Sequence, residues 1–351
     1  MTAAVPQRAA DRNPLIALTL GDPAGVGPEV VAKALAQPNV RALADLVVVG
    51  SPAVLDRAFA LVDAGLHATP VADPAEPVAP DAVGVYEEGV DEDRRADPPL
   101  ADLPYGRVSA AAGAAAVAWA TTAARLALDG RVDGVATAPL NKEAAHLAGH
   151  AEVGHQEIYQ KLTGAEHVMT MLLAPGLRVV HLTTHRSLRE ACDAVTQESV
   201  LAALRLTHDF FAEHGIAQAR IAAAALNPHG GEAGLLGSEE TTAIGPAVGA
   251  ARELGIDATG PVPADTVFNR AIDGVFDVVL AMYHDQGHIA IKVHDWSRSV
   301  TVNLGLPFLR TSVDHGTAFD IAGRGSADPA GMIEAVRLAA QLARTGSLVS
   351  V

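Results

Sequence analysis

The chain has 351 residues, enough for one large or two medium α/β domains, and its 49% hydrophobic content with only 4% aromatic residues demands an aliphatic core. Its formal charge of −16, from 41 acidic against 25 basic residues, disfavours nucleic acid and anionic membrane, so an anionic ligand would need a local cationic pocket. One cysteine, Cys192, excludes an intrachain disulfide framework and is read as a buried small apolar residue in a reducing compartment.

Residues 1–13 lack the apolar core of a signal peptide and are expected to form a flexible tail; no uninterrupted apolar span follows, which predicts a cytoplasmic protein. Residues 16–20 predict a buried strand, closed by a turn rich in glycine and then by a helix with Pro28 in its first turn. Gly21, Gly25 and Gly27 miss the G-x-G-x-x-G spacing, so this turn is not a dinucleotide fingerprint. A strand at 46–50 and a helix at 52–64 follow, and 68–104 reads as surface connection with a short strand at 83–86. An alanine-rich helix is predicted at 109–129, ending at Gly130, then a strand from Gly134 into a loop at 137–142. Strands at 168–174, 178–183, 220–226 and 277–282, interleaved with helices near 187–193, 197–214 and 238–254, imply a mostly parallel sheet. The last helix, 329–344, is expected to return to the first domain.

The chemistry concentrates in 278–325. An aliphatic run delivers Tyr283, His284 and Asp285 at its end, and Lys292, Arg310 and the cluster Asp314-His315-Gly316-Thr317 follow. His185 and His229 likewise follow aliphatic runs, so a parallel sheet would bring three imidazoles to one edge. Three imidazoles with an open position suit Zn²⁺, and also Mn²⁺, Co²⁺ or Ni²⁺, whereas Mg²⁺ prefers oxygen. Asp285 is placed to orient a ligand or to accept a proton. The bland reading, histidines in ordinary polar turns, applies to most of the 14 in the chain.

The blocks LTLGDPAGVGPE (18–29), ATAPLNK (136–142), Gly154-His155, Thr183-Thr184-His185, LNPHG (226–230), GPVPADT (260–266), MYHDQG (282–287) and 304–324 resemble, in order, the 4-hydroxythreonine-4-phosphate dehydrogenase family. The resemblance implies a two-domain α/β/α fold of the isocitrate and isopropylmalate dehydrogenase type, with mostly parallel sheets and an interdomain cleft. On that likeness the domains are 14–137 plus 315–351, and 138–314. It implies a homodimer and a divalent metal on His185, His229 and His284, with one ligand and the carboxylate of Asp265 crossing from the partner. Substrate contacts fall on His155, Gln156, Asp265, Lys292, Thr301 and Arg310, and the catalytic groups are Lys292, Asp285 and Asp265. The loop containing His315, Gly316, Thr317, Ala318 and Asp320 is similar to the loop that receives the adenosine half of NAD, with NADP as the alternative.

Two positions depart from the family pattern. Gln156 stands where Thr is usual and Thr301 where Asn is usual, with Asn303 two residues on. His288, followed by Ile289 and Lys292, is more similar to the branch that oxidises 4-phosphorylated threonate or erythronate than to the vitamin B6 branch. The implied substrate is therefore a small phosphorylated hydroxy acid, oxidised at its 3-hydroxyl to a keto acid that decarboxylates. The B6 substrate and a diol dicarboxylate are the alternatives within the family. A metal-dependent phosphate-ester hydrolase and a non-catalytic anion-binding protein are those outside it.

Overall fold

The computed structural model describes residues 12–87, 99–151 and 154–349. Most of the expected tail therefore lies outside the described residues, while Arg12 is tied to Asp133 at 3.5 Å. The chain divides into a first unit, Met1–Glu166 with Leu306–Thr345, and a second, His167–Gly305 with Gly346–Val351. Strands in chain order are β1 Leu15–Thr19, β2 Asp45–Val49, β3 His67–Val71, β4 Ala82–Tyr86, β5 Gly134–Thr137, β6 Met169–Ala174, β7 Leu177–His181, β8 Ile221–Ala224, β9 Ala258–Val262, β10 Val278–Ala281, β11 Val300–Leu304 and β12 Arg310–Val313.

In the first unit the order is β3-β4-β2-β1-β5-β12, and every pair is parallel. The central runs LIALT and GVAT are buried throughout, as strands covered on both faces must be. β3 was expected to be loop; it is half exposed and carries Pro70, the signature of an edge strand. The helix Ala110–Leu128 is long and apolar enough to cross a membrane by composition, yet Ala112, Ala116, Ala120 and Ala123 are fully buried in this unit. Ser109 caps it by accepting from the Ala112 amide at 3.1 Å.

The chain leaves this unit after Glu166 rather than near 137, because Gly113 brings the long helix directly against the backbone of Ala144 in the helix Lys142–Leu147. Any Cβ at Gly113 would overlap that backbone. The final helix, Ala330–Thr345, belongs to this unit as expected, and Thr311 on β12 donates to the Ala335 carbonyl at 2.8 Å.

In the second unit the order is β11-β6-β7-β10-β8-β9. The segment β7-β10-β8-β9 is parallel, but β11-β6 and β6-β7 are antiparallel, so this sheet is mixed. The chain end is held here: the Leu348 amide donates to the His214 carbonyl at 2.9 Å, and Arg178 donates to the Leu348 carbonyl at 3.1 Å. Cys192, expected buried, is half-buried in the short helix Leu188–Asp193.

Candidate active site

Each unit gathers candidate residues around three neighbouring parallel strands, and in the second unit they follow the carboxyl ends, where open α/β sheets bind ligands. In the second unit these are β7, β10 and β8, with β10 in the middle. Side chains lock their ends together: Thr183 donates to the Met282 carbonyl at 2.9 Å, while Gln286 accepts from the Met282 amide at 2.7 Å and donates to the Ala225 carbonyl at 2.8 Å.

No element is assigned to residues 283–292 from the sequence; in the structure His284 opens the helix His284–His294. Its ring centroid lies 6.0 Å from that of His185. His185 itself is four residues beyond the end of β7, in an irregular segment. The two rings line a cleft of about 430 Å³ with Thr184, Ser187, Tyr283 and Asp285. His284 Nδ1 donates to Asp285 Oδ1 at 2.7 Å, which leaves the lone pair on Nε2. A pair of imidazoles with a carboxylate behind one of them fits a divalent ion of borderline softness.

His229 is exposed beyond β8, in a run with positive φ at His229, Gly230, Gly231, Glu232 and Ala233. Glu240 braces that turn by accepting from the Leu226 and Asn227 amides at 2.8 and 2.6 Å. Among the described residues, no three His, Cys, Asp or Glu side chains of one chain come together as a metal site. The structure thus brings His185 and His284 together and leaves His229 at the same sheet edge.

Asp265 is exposed in the first turn of the helix Ala264–Ile272. Lys292 is half-buried, with its ammonium 4.6 Å from the Trp296 ring centre. Thr301 and Asn303 are both buried on β11 and, two residues apart, share one face. The Asn missing at 301 is therefore available on the same face one step along the strand.

Behind the histidine edge lies a group that sequence reasoning did not find. His181 is 1% exposed at the end of β7, with Nδ1 3.3 Å from the Thr170 carbonyl. Its ring is 4.5 Å from His288, whose ring stacks on His284 at 3.6 Å. Burial, then the neighbouring His288, holds His181 far below its ordinary 6.5, at about 3. The folded value lies below the unfolded one, so this stabilisation is complete above pH 6.5 and is lost as pH falls toward 3, at up to about 1.4 kcal/mol per pH unit. Urea unfolding across that window should show a shallower loss in His181→Phe than in the parent.

Gly287 explains how His181 fits, since a Cβ there would overlap the imidazole. Helix propensity alone makes alanine about 1 kcal/mol better in the helix. The buried overlap reverses the sign, and Gly287→Ala should cost about 1–3 kcal/mol, read as a lower thermal midpoint.

In the first unit the three strands are β1, β5 and β12. Arg310 opens β12 and is 5% exposed; its Nε and Nη2 donate to Thr137 Oγ1 at 3.1 and 2.6 Å. Its guanidinium carbon is 5.8 Å from the ring centre of Tyr159, one helical turn after His155 in the helix His155–Thr163. Burial lowers Arg310 to about 10, leaving it cationic at neutral pH, and pushes Tyr159 up to about 12. Burial, and then Arg310, drives His155 well below its ordinary value, so it is neutral. Gln156 is half-buried beside it. Thr137 and Tyr159 are additions to the predicted set; the first lies inside the ATAPLNK block and the second is at i+4 from His155.

The loop 315–323 follows β12, and the glycine-rich turn after β1 packs on it instead of forming a phosphate cradle. The Val26 amide donates to the Thr317 carbonyl at 3.0 Å, and a Cβ at Gly25 would come within 2.9 Å of Thr317 Cβ. Asn141 from the loop after β5 reaches Thr317 Oγ1 at 3.5 Å. Ala318 has φ 39°, so the chain bends there through a conformation that favours glycine. His315 lies against Gly331 and Asp320 sits in the turn that follows Ala318. Beyond the loop, Lys33 donates to the Gly325 and Ala327 carbonyls at 2.8 and 2.6 Å, and Glu29 accepts from the Ala327 amide at 2.7 Å. Asp22 in the same turn accepts from the Ala24 amide at 2.8 Å, and burial pushes its carboxyl up to about 6.

The family model of the pyridoxal phosphate biosynthetic protein PdxA matches residues 42–339. The chain is 44% identical to a D-threonate 4-phosphate dehydrogenase of Cupriavidus necator, covering 95% of this chain and 98% of that protein. It is 43% identical to a 4-hydroxythreonine-4-phosphate dehydrogenase of Geobacter metallireducens, covering 95% and 96%. Among solved structures, a 4-hydroxythreonine-4-phosphate dehydrogenase from Klebsiella pneumoniae superposes with a TM-score of 0.85 at 42% identity, covering 95% of this chain and 98% of that one. With the matched model spanning most of its length, this chain belongs to the PdxA family.

Proposed function

We propose that the chain is a metal-dependent NAD dehydrogenase that oxidises the 3-hydroxyl of a 4-phosphorylated four-carbon hydroxy acid of the 4-phospho-D-threonate type, giving a keto acid that loses CO₂. One observation carries the reading: His185 and His284 meet at neighbouring strand ends, with Asp285 on His284, in a chain similar over its length to D-threonate 4-phosphate dehydrogenases. When bound, NAD takes the hydride and the divalent ion lowers the pKa of the hydroxyl that gives up its proton.

The rest falls to the chain's own residues. Asp285 fixes the His284 ring, and Asp285 or Asp265 accepts the hydroxyl proton. Arg310, with neutral His155, Gln156 and Tyr159, grips an anionic group of the substrate, and Lys292 and Thr301 are further substrate contacts. The backbone of 315–320 receives the nucleotide. Zn²⁺ is the first choice of metal from the imidazole donors, and NAD the first choice over NADP. The working unit is a homodimer in the cytoplasm; the second unit exposes Leu235, Val293 and Trp296 at 85, 82 and 70%, apolar surface that a second copy would cover.

The similar identity to the Geobacter protein makes the B6 substrate a specific second reading. The test is NAD reduction by the full-length protein, followed by absorbance, with 4-phospho-D-threonate, 4-phospho-D-erythronate and 4-hydroxy-L-threonine 4-phosphate and several divalent metals. The highest kcat/KM is expected with one of the two sugar acids. Oxidation of the amino acid alone would establish the second reading, and phosphate release without reduced NAD would make the protein a hydrolase.

A further inference from the structure

Two further histidines, His288 and His181, lie in sequence of contact behind the His284 ring, outside the set of residues that line the cleft. We propose that His288 is a positioning residue for His284, and that His181 and Gly287 hold it in that role; the inference rests on the reading of His284 as a metal ligand. The hydrogen bond to Asp285 at 2.7 Å fixes one direction in the plane of the His284 ring, and the ring can still tilt about that bond. The His288 ring removes the tilt. It lies 3.6 Å away, centroid to centroid, and 13° from parallel, one helical turn after His284.

His288 is itself held on two sides. Its Nδ1 is 3.1 Å from the His284 carbonyl, which ties the ring to the backbone of the residue it faces. Its other neighbour is the ring of His181, 4.5 Å away and inclined by 53°. His181 is a rigid backing: it is 1% exposed, tethered to the Thr170 carbonyl on β6, and it lies where a Cβ at position 287 would stand. Glycine at 287 is what lets a buried strand residue reach past the helix backbone to the back of His288. Neither His181 nor His288 lines the cleft formed by 184–191 and 283–285, so both act on it through His284.

The bland alternative is that His288 only fills space. Leucine and phenylalanine separate the two, since both are apolar fillers but only phenylalanine keeps a flat face against His284. Metal-stripped full-length protein would be titrated with Zn²⁺ by calorimetry and with Co²⁺ by its visible absorption, alongside thermal unfolding of each metal-free variant. His288→Leu is expected to weaken metal binding about ten-fold or more and to shift the Co²⁺ spectrum, and His288→Phe to bring both back to within about three-fold of the parent.

Parent-like affinity in His288→Leu overturns the proposal, and so does a His288→Phe variant as weak as the leucine one. His284→Ala is the control for the underlying reading. If it binds metal as well as the parent does, the ligand assignment fails and this inference fails with it. If it loses metal while His288→Leu does not, only the inference fails.

Discussion

Arg310→Ala is expected to lower kcat/KM for the phosphorylated substrate by roughly 30- to 5,000-fold, the equivalent of losing about 2–5 kcal/mol of buried charge pairing. The reason begins with the net charge of −16, which leaves an anionic ligand dependent on local cations. Arg310 is such a cation: buried on β12, clamped through two nitrogens to Thr137 and still charged at neutral pH although burial lowers it to about 10. Most of the loss should appear in KM, because the anion is gripped in the ground state as well as in the transition state. Arg310→Lys keeps the charge but not the planar fork, and it should fall between the parent and alanine. The fold should survive, since Thr137 Oγ1 retains the Thr311 carbonyl at 3.4 Å. Steady-state kinetics decide the matter: a parent-like KM in Arg310→Ala would remove this residue from the substrate site.

His284→Ala should remove turnover and metal retention together. Loss of a partner behind a ligand typically weakens metal binding by about 10–100-fold, and loss of the ligand itself should exceed that. Asp285→Asn offers the graded comparison; the Asp285 side chain is 70% exposed, so its effect should sit near the lower end, about ten-fold. Metal content after gel filtration and NAD reduction would be measured on the same samples, and NAD affinity should be unchanged because the loop proposed to receive the nucleotide, 315–323, does not include His284 or line its cleft. A metal-free His284→Ala that still turns over would refute the metal assignment.

The two outcomes bear differently on what a linear chain reveals. Strand ends were legible because IAAA and VVLA are aliphatic runs too short for helices, closed by polar or turn residues. The helix His284–His294 was not, since HDQGHIAIKVH buries Gln286 and Gly287 alongside Ile291 and so shows no apolar stripe. β3 hid for the opposite reason, being half exposed and broken by Pro70 at a sheet edge. The unit boundary lies at Glu166 and not near 137, since the helices that follow β5 pack on the long helix, one of them through the close approach at Gly113, a contact that the hydrophobic pattern does not announce.

By itself, then, the sequence determined the α/β class, the turn chemistry, the need for a buried cation and the candidate histidines, because each follows from local composition and short-range periodicity. Only the tertiary structure decided which histidines meet. Strand order is set by hydrogen bonds between segments distant in sequence: β10 pairs with β7 through Val279 and Val179, 100 residues apart, and with β8 through Val278 and Ile221, 57 residues apart. That order puts His284 beside His185, and it puts buried His181 behind His288, where nothing in the local sequence announces it.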